Sequence, residues 1–417
     1  ISTERILPPP ASNGWPGPNA NATHAVINME GGVLTAENVI IADNQDGSNG
    51  DTTGDTTING NIKGVMNISG GDATVSNDII IAAHTHPTEP SSGDADGALN
   101  LTGGSLTVGG NITEGNDAGD NRSYVLLDGA TLDMTGGEIN VDTFETQSGT
   151  LKNVEQIFNG AMVAADLVKT GVDKRLVLEG VNNYTGATLV QQGNLQVGRL
   201  GDGTTGTAAV SVADAAALSG SGIVRGNASF ASGATLMPGD DGGAGLAQLT
   251  FEGSLNMADG SNTIMQLGGA SYNFGADFAT AMMSTPGLTF ETWVAGQGNA
   301  FDAYTGNHDH LDVQGDLTFE GSLAVENFSG YQAGYGDVFN LVDWVLGDQL
   351  ALDFGSEMQV IGGQISDLTL PDFGDSGLLW DLSLLNSHGI LTVVPEPSRA
   401  FLLIVGVLCA FGRRRRR

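Results

Sequence analysis

The chain contains one cysteine in 417 residues, Cys409, and none before it. A disulfide framework and a thiolate metal site are therefore excluded for everything upstream. Basic side chains are also scarce, with 15 Lys and Arg against 48 Asp and Glu and a net charge of −33. The last five residues, Arg413–Arg417, are the sole basic cluster, and residues 1–394 hold 9 basic against 47 acidic residues, a formal charge of −38. Phosphate contacts need clustered Lys and Arg, so no nucleic-acid partner is expected. Charged residues make up only 15% of the chain, and Ala, Glu, Lys, Arg and Leu do not dominate at a helical period, which excludes a coiled coil. The 63 glycines follow no period of three, which excludes collagen. The length fits two or three domains or one elongated one. An acidic body of this kind is soluble and repels anionic surfaces, and salt or bound cations relieve its self-repulsion.

What is present is a repeat. Alternating apolar residues, a polar residue, Gly-Gly and renewed alternation occur at residues 27–35 (Ile-Asn-Met-Glu-Gly-Gly-Val-Leu-Thr) and 66–75 (Met-Asn-Ile-Ser-Gly-Gly-Asp-Ala-Thr-Val). The pattern returns at 99–108 and 132–141, so that the Gly pairs at 31, 70, 103 and 136 are spaced 39, 33 and 33. Period-2 alternation marks strands with one buried face, and the Gly pair marks a turn between them. One such unit cannot bury its apolar face alone, so a fixed long period predicts stacked units, a parallel β-solenoid. A set of antiparallel hairpins in a sandwich is the alternative. The polar stretches 43–57 and 110–121 are expected to be loops outside the stack.

From residue 167 the pattern changes. The marks Lys169-Thr170-Gly171, Asn183-Tyr184-Thr185-Gly186 and Gly193-Asn194-Leu195 fall within residues 167–198. This stretch resembles the autotransporter-associated β-strand repeat, and one full copy is present. The resemblance implies a parallel β-helix stalk of a secreted protein. Gly and Asn at such corners suit positive φ. Residues 220–224 and 231–239 resemble the lines that follow such a repeat. The organisation expected is an extended lead-in over 1–22, a solenoid over 23–270, an insertion or linker over 271–310 with a short helix near 276–283, and a β-rich cap over 311–394.

The carboxyl end reads Val393-Val394-Pro395-Glu396-Pro397-Ser398-Arg399. An apolar run follows: Ala400, Phe401, Leu402, Leu403, Ile404, Val405, Gly406, Val407, Leu408, Cys409, Ala410 and Phe411. Gly412 and then Arg413, Arg414, Arg415, Arg416 and Arg417 close the chain. Twelve apolar residues, or 15 counting Ser398 to Gly412, make a short transmembrane helix against the ~20 residues of an ordinary span. The arginines stay cytoplasmic by the positive-inside rule. Prolines 395 and 397 lack amide donors and keep the peptide extended. The three parts in this order resemble the PEP-CTERM sorting signal. That resemblance implies a membrane-embedded transpeptidase, an exosortase, as partner, with Pro395, Glu396 and Pro397 as the processing motif. It also implies an inner-membrane-anchored precursor and a cell-surface or extracellular product. Because the chain begins at Ile1 with no signal peptide, the export signal is expected to have been removed or to lie outside this sequence.

Candidate chemistry is thinner. Asp43, Asp46, Asn49 and Asp51 offer hard oxygens suited to structural Ca²⁺, without EF-hand spacing; a solvated acidic loop is the alternative. Asp117, Asp120 and Asn121, and Asp240 with Asp241, are similar. His84/His86 and His308/His310 are i, i+2 pairs that suit Zn or Cu on a strand face, against an exposed loop. Arg122, Arg199 and Arg225 are the scattered bases that a lyase would draw on, and no nucleophile elbow, P-loop or zincin motif occurs. No catalytic residue is assigned and no cofactor is expected beyond that Ca²⁺. The reading is an all-β chain, a right-handed parallel β-helix with a β-rich C-terminal cap and a short transmembrane helix. The resemblances imply a structural or adhesive role, within an exopolysaccharide or biofilm matrix. The alternative is a β-helix lyase or hydrolase acting on polysaccharide, or a glycan-binding protein.

Overall fold

Strands whose apolar face recurs at a long interval pair in parallel, because each pass of the chain covers the face left open by the pass before. The structure, a computed structural model, describes residues 23–44, 62–84, 95–115, 121–274, 277, 281, 284, 293, 304–344 and 367–396. The chain is all-β and its large sheets are parallel. It divides into two units, residues 1–211 with 223–226, and residues 212–222 with 227–417. The lead-in 1–22 lies outside the described residues, as do Pro397 and everything after it.

The first unit contains β1 (Thr23–Met29), β2 (Val33–Ala36), β3 (Val39–Asn44), β4 (Ile62–Val75), β5 (Ile79–His84), β6 (Ala95–Val108), β7 (Ile112–Glu114) and β8 (Arg122–Asp133). It continues with β9 (Glu138–Asn140), β10 (Thr143–Lys152), β11 (Gln156–Phe158), β12 (Leu167–Lys169), β13 (Arg175–Glu179), β14 (Thr188–Val190) and β15 (Asn194–Val197). One parallel ladder runs β1–β4–β6–β8–β10 and another runs β3–β5–β7–β9–β11. Ala73, Leu106, Leu132, Leu151, Leu178 and Val197 are successive Cα partners, and all are buried. That column is the core read edge-on. Truncating one of its leucines to Ala removes about 2–5 kcal/mol.

Gly31-Gly32 and Gly136-Gly137 lie between strands, as expected, but the other two Gly pairs do not. Gly70-Gly71 and Gly103-Gly104 lie inside β4 and β6, at a register shift between Ile68 and Asp72. Gly71 and Gly104 have φ of 83° and 73°, and a Cβ on Gly104 would sit 2.4 Å from the Gly71 carbonyl oxygen. The pair kinks a continuous ladder where backbones of successive passes touch.

The fourth copy is out of the register that its spacing implies. An offset of 33 holds between β4 and β6, but Ala95 and Asn121 meet at an offset of 26. Leu132 therefore pairs with Leu106 rather than Leu99, and Gly137 stacks on Gly110, its Cβ position 2.0 Å from that carbonyl oxygen. The second 33 in the sequence is a coincidence of loop lengths.

The second unit continues the same principle. Ala217–Gly220, Thr235–Pro238, Asn262–Leu267, Ser322–Asn327 and Leu368–Thr369 pair in parallel in that order. Gln248–Phe251, His310–Val313 and Val342–Trp344 form a second parallel run. The parallel ladders run on past residue 311. Residues 271–310 are an insertion within one pass, because Ala247 and Asp309 meet at an offset of 62. Nor are they a mere linker, since Phe274 and Trp293 pack with Val338, Leu384 and Ile390 in one buried cluster. Asp277, Ala281, Ser284 and Trp293 are helical. The cap is the antiparallel sheet of Tyr272–Asn273, Asp337–Asn340, Ile390–Pro395 and Leu378–Asp381, with Ile390–Pro395 between two neighbours. A Cβ on Gly389, at φ 67°, would lie 2.0 Å from the Val342 carbonyl oxygen, so only glycine turns the chain into that strand.

Candidate functional site

A group of buried titratable side chains sits where the chain rejoins the ladder at His308 and His310. His310 opens the strand His310–Val313, which has parallel neighbours on both sides. His308 bridges Leu267 just before it. Alternation sends His308 and His310 to one side and Asp309 to the other.

Asp309 is buried, and its carboxylate oxygens accept the backbone N–H of Ala247 at 3.0 Å and of Gln266 at 2.8 Å. Burial pushes its carboxyl up to about 8, against the pull of those two donors.

His308 is fully buried. Its Nδ1 lies 2.7 Å from the Asp309 carbonyl oxygen, which can only accept, so Nδ1 carries the proton. Nε2 of the neutral ring is then the acceptor for the Ser271 hydroxyl at 2.5 Å. Burial, with the neighbouring His310 adding to it, pulls His308 down to about 4, so the ring is neutral across the physiological range. Phe339 and Tyr304 meet it edge-on at 6.0 and 5.5 Å between centroids.

His310 faces two acceptors. Its Nδ1 donates to the Asn340 carbonyl at 3.0 Å, and Nε2 lies 3.3 Å from Asp343 Oδ2. Asn340 Nδ2 donates to the other Asp343 oxygen at 2.8 Å. Although burial opposes it, these two contacts hold the Asp343 carboxyl below its ordinary value. Tyr304 stacks on the His310 ring at 4.8 Å, and burial pushes its phenol up to about 12.

Two expectations change here. His308 and His310 are neither an exposed loop nor a metal pair, because their nitrogens are taken by Ser271, Asp343 and two carbonyls. No three His, Cys, Asp or Glu among the described residues group to hold a metal ion. Ser271, Tyr304 and Asp343 were invisible to spacing, since Ser271 and Asp343 arrive from 33 or more residues away and Tyr304 from a neighbouring stretch with no pattern of its own.

The remaining candidates are dispersed. Asp43 lies in β3 opposite Ala83 rather than in a loop, while Asp46, Asn49 and Asp51 lie outside the described residues. Asp240 accepts the Ser221 hydroxyl at 2.6 Å. His84 ends β5, and His86 lies outside the described residues. Arg225 is spent on Asn183 Oδ1 at 2.8 Å and the Asn182 carbonyl at 3.2 Å. The Lys-Thr-Gly mark has a physical role: Lys169 is buried and its ammonium donates to the carbonyls of Thr170, Gly171 and Gln192. Tyr184, also fully buried, shares a 2.8 Å hydrogen bond with the Thr188 hydroxyl.

Pro395 ends the central cap strand opposite Leu378, and Glu396 donates its N–H to Gly377 at 2.9 Å. Pro397, Ala400–Phe411 and Arg413–Arg417 lie outside the described residues. No helix among the described residues is long and apolar enough to cross a membrane. Compared with models of known protein families the chain matches none, and no curated protein matches it.

Proposed function

We propose that this chain is an exported structural or adhesive protein of the cell surface or surrounding matrix. Its body is a right-handed β-solenoid closed by the cap sheet, and its tail is a sorting signal read by an exosortase. The short apolar run is the transient inner-membrane anchor of the precursor, and an exopolysaccharide matrix is the setting.

One observation supports the scaffold reading most directly. Asn28, Asn67 and Asn100 stack on successive passes, Asn67 Nδ2 donating to Asn28 Oδ1 and Asn100 Nδ2 to Asn67 Oδ1, each at 2.8 Å. Polar side chains here satisfy one another along the stack instead of converging on a cleft. Ser105 on Asp72, at 2.7 Å, does the same. Such ladders stiffen the pass-to-pass contact and leave few free groups for chemistry.

The test is an intact mass of the protein recovered from a host with an exosortase, with its cell fraction recorded. A chain lacking Arg413–Arg417 on the surface or in the medium is the expected result. A full-length chain retained in the inner membrane overturns the sorting role.

A further inference from the structure

We propose that Ser271 is a nucleophile activated by His308, forming an acyl-transfer site that takes acyl esters. The required parts are a hydroxyl, a base within hydrogen-bond reach, and a third group that orients the base. All three are present: the Ser271 hydroxyl donates to His308 Nε2 at 2.5 Å, and His308 Nδ1–H is fixed on the Asp309 carbonyl at 2.7 Å. The carbonyl locks the ring in the one tautomer whose Nε2 can take a proton.

The two residues differ in exposure. Ser271 is half-buried and His308 is fully buried beneath it. The Asn340 backbone N–H, 3.4 Å from the Ser271 oxygen, approaches from the neighbouring strand of the cap sheet. It holds that oxygen from a second direction.

The step balances without a cofactor. The Ser271 proton passes to His308 Nε2 as Oγ bonds to the acyl carbon. The ester C–O bond breaks, and the departing alcohol takes the proton back from Nε2. Water then attacks the acyl-serine, again giving its proton to Nε2, and the acid leaves with Ser271 restored. A ring pulled down to about 4 is a weak base and, once protonated, a strong acid. The groups that face this ring are Ser271, Asp309, His310, Tyr304, Phe339 and, across the shared serine, Asn340.

The full chain is treated with a fluorophosphonate probe and analysed by intact mass and peptide mapping. Near-stoichiometric addition at Ser271 in the native protein is expected, with none after denaturation. Ser271→Ala abolishes the adduct. His308→Gln slows labelling by about 100-fold or more, the scale of a lost general base. Because that variant removes a buried ring, Ser271→Cys serves as the second: its thiol is alkylated by iodoacetamide faster than free cysteine. The rate of labelling falls on an acid limb near pH 4 rather than near 6.5. An unlabelled native protein overturns the proposal, as does an adduct that survives Ser271→Ala.

Discussion

Lys63 and Asp96 are Cα partners on successive passes and form an ion pair of 3.1 Å, with side chains 8% and 5% exposed. In a body with so few basic residues, one is committed to the interior of the stack. Breaking such a pair from one side leaves a desolvated charge. Lys63→Met is expected to cost about 3–5 kcal/mol, and the double replacement Lys63→Met with Asp96→Leu to recover most of it. Urea denaturation of the three proteins measures both. An equal loss in single and double variants would remove the pair as the cause.

Lys169 tests pH linkage. Burial pulls its ammonium down to about 8, from 10.5 in the unfolded chain. Between those values the unfolded chain binds more protons, so this group's contribution to stability rises as pH rises from about 8 to 10.5. The stability of Lys169→Met relative to the parent should therefore worsen across that window. Denaturation at pH 8 and at pH 10 checks it. At pH 8 the variant is already weaker, because the carbonyls of Thr170, Gly171 and Gln192 lose their donor.

The tautomer of His308 is directly observable. Long-range ¹H–¹⁵N spectra should show a neutral ring protonated at Nδ1, unchanged at pH 5.5. Its folded value of about 4 lies below 6.5, so the stability it contributes is present above 6.5 and is lost as pH falls from 6.5 toward 4. Asp309, raised to about 8, acts in the opposite sense: the folded chain binds the extra proton, and its contribution falls as pH rises from about 4 to 8. An imidazolium signal for His308 at pH 5.5 would contradict the geometry.

Two glycines separate crowding from backbone strain. Gly104→Ala meets both, with φ 73° and a Cβ 2.4 Å from the Gly71 oxygen. Gly136→Ala, at φ 97°, has nothing within 4 Å. The second should cost about 1 kcal/mol, the first clearly more. Thermal melts of both variants check the order, and equal losses would show that the stacked kink is not in contact.

The alternation around Gly70 and Gly103 made the parallel ladders legible, because a strand with one apolar face and a fixed repeat has few other ways to bury it. Register beyond Asn100 was not legible. It depends on how many residues each loop consumes, and Leu132 could be aligned with Leu99 or Leu106 by pattern alone. His308 and His310 stood out as a pair, yet their burial follows from the strand having neighbours on both sides, which the local sequence does not encode. Ser271 carried no signal at all. It reaches His308 only because His308 bridges Leu267, close before Ser271 in the chain.

Offsets between stacked partners range from 18 residues, Glu138 to Gln156, to 62, Gln248 to His310, while the core contacts persist. The conformational penalty of closing a loop grows with the logarithm of its length, so stretching an 18-residue pass to 62 adds about 1 kcal/mol. Variation in this molecule is therefore thermodynamically lopsided. Length added between strands is nearly free, whereas one methyl placed on a stacked glycine is not. A lineage, or an engineer, wanting new surface on this body would lengthen its loops and leave its columns untouched.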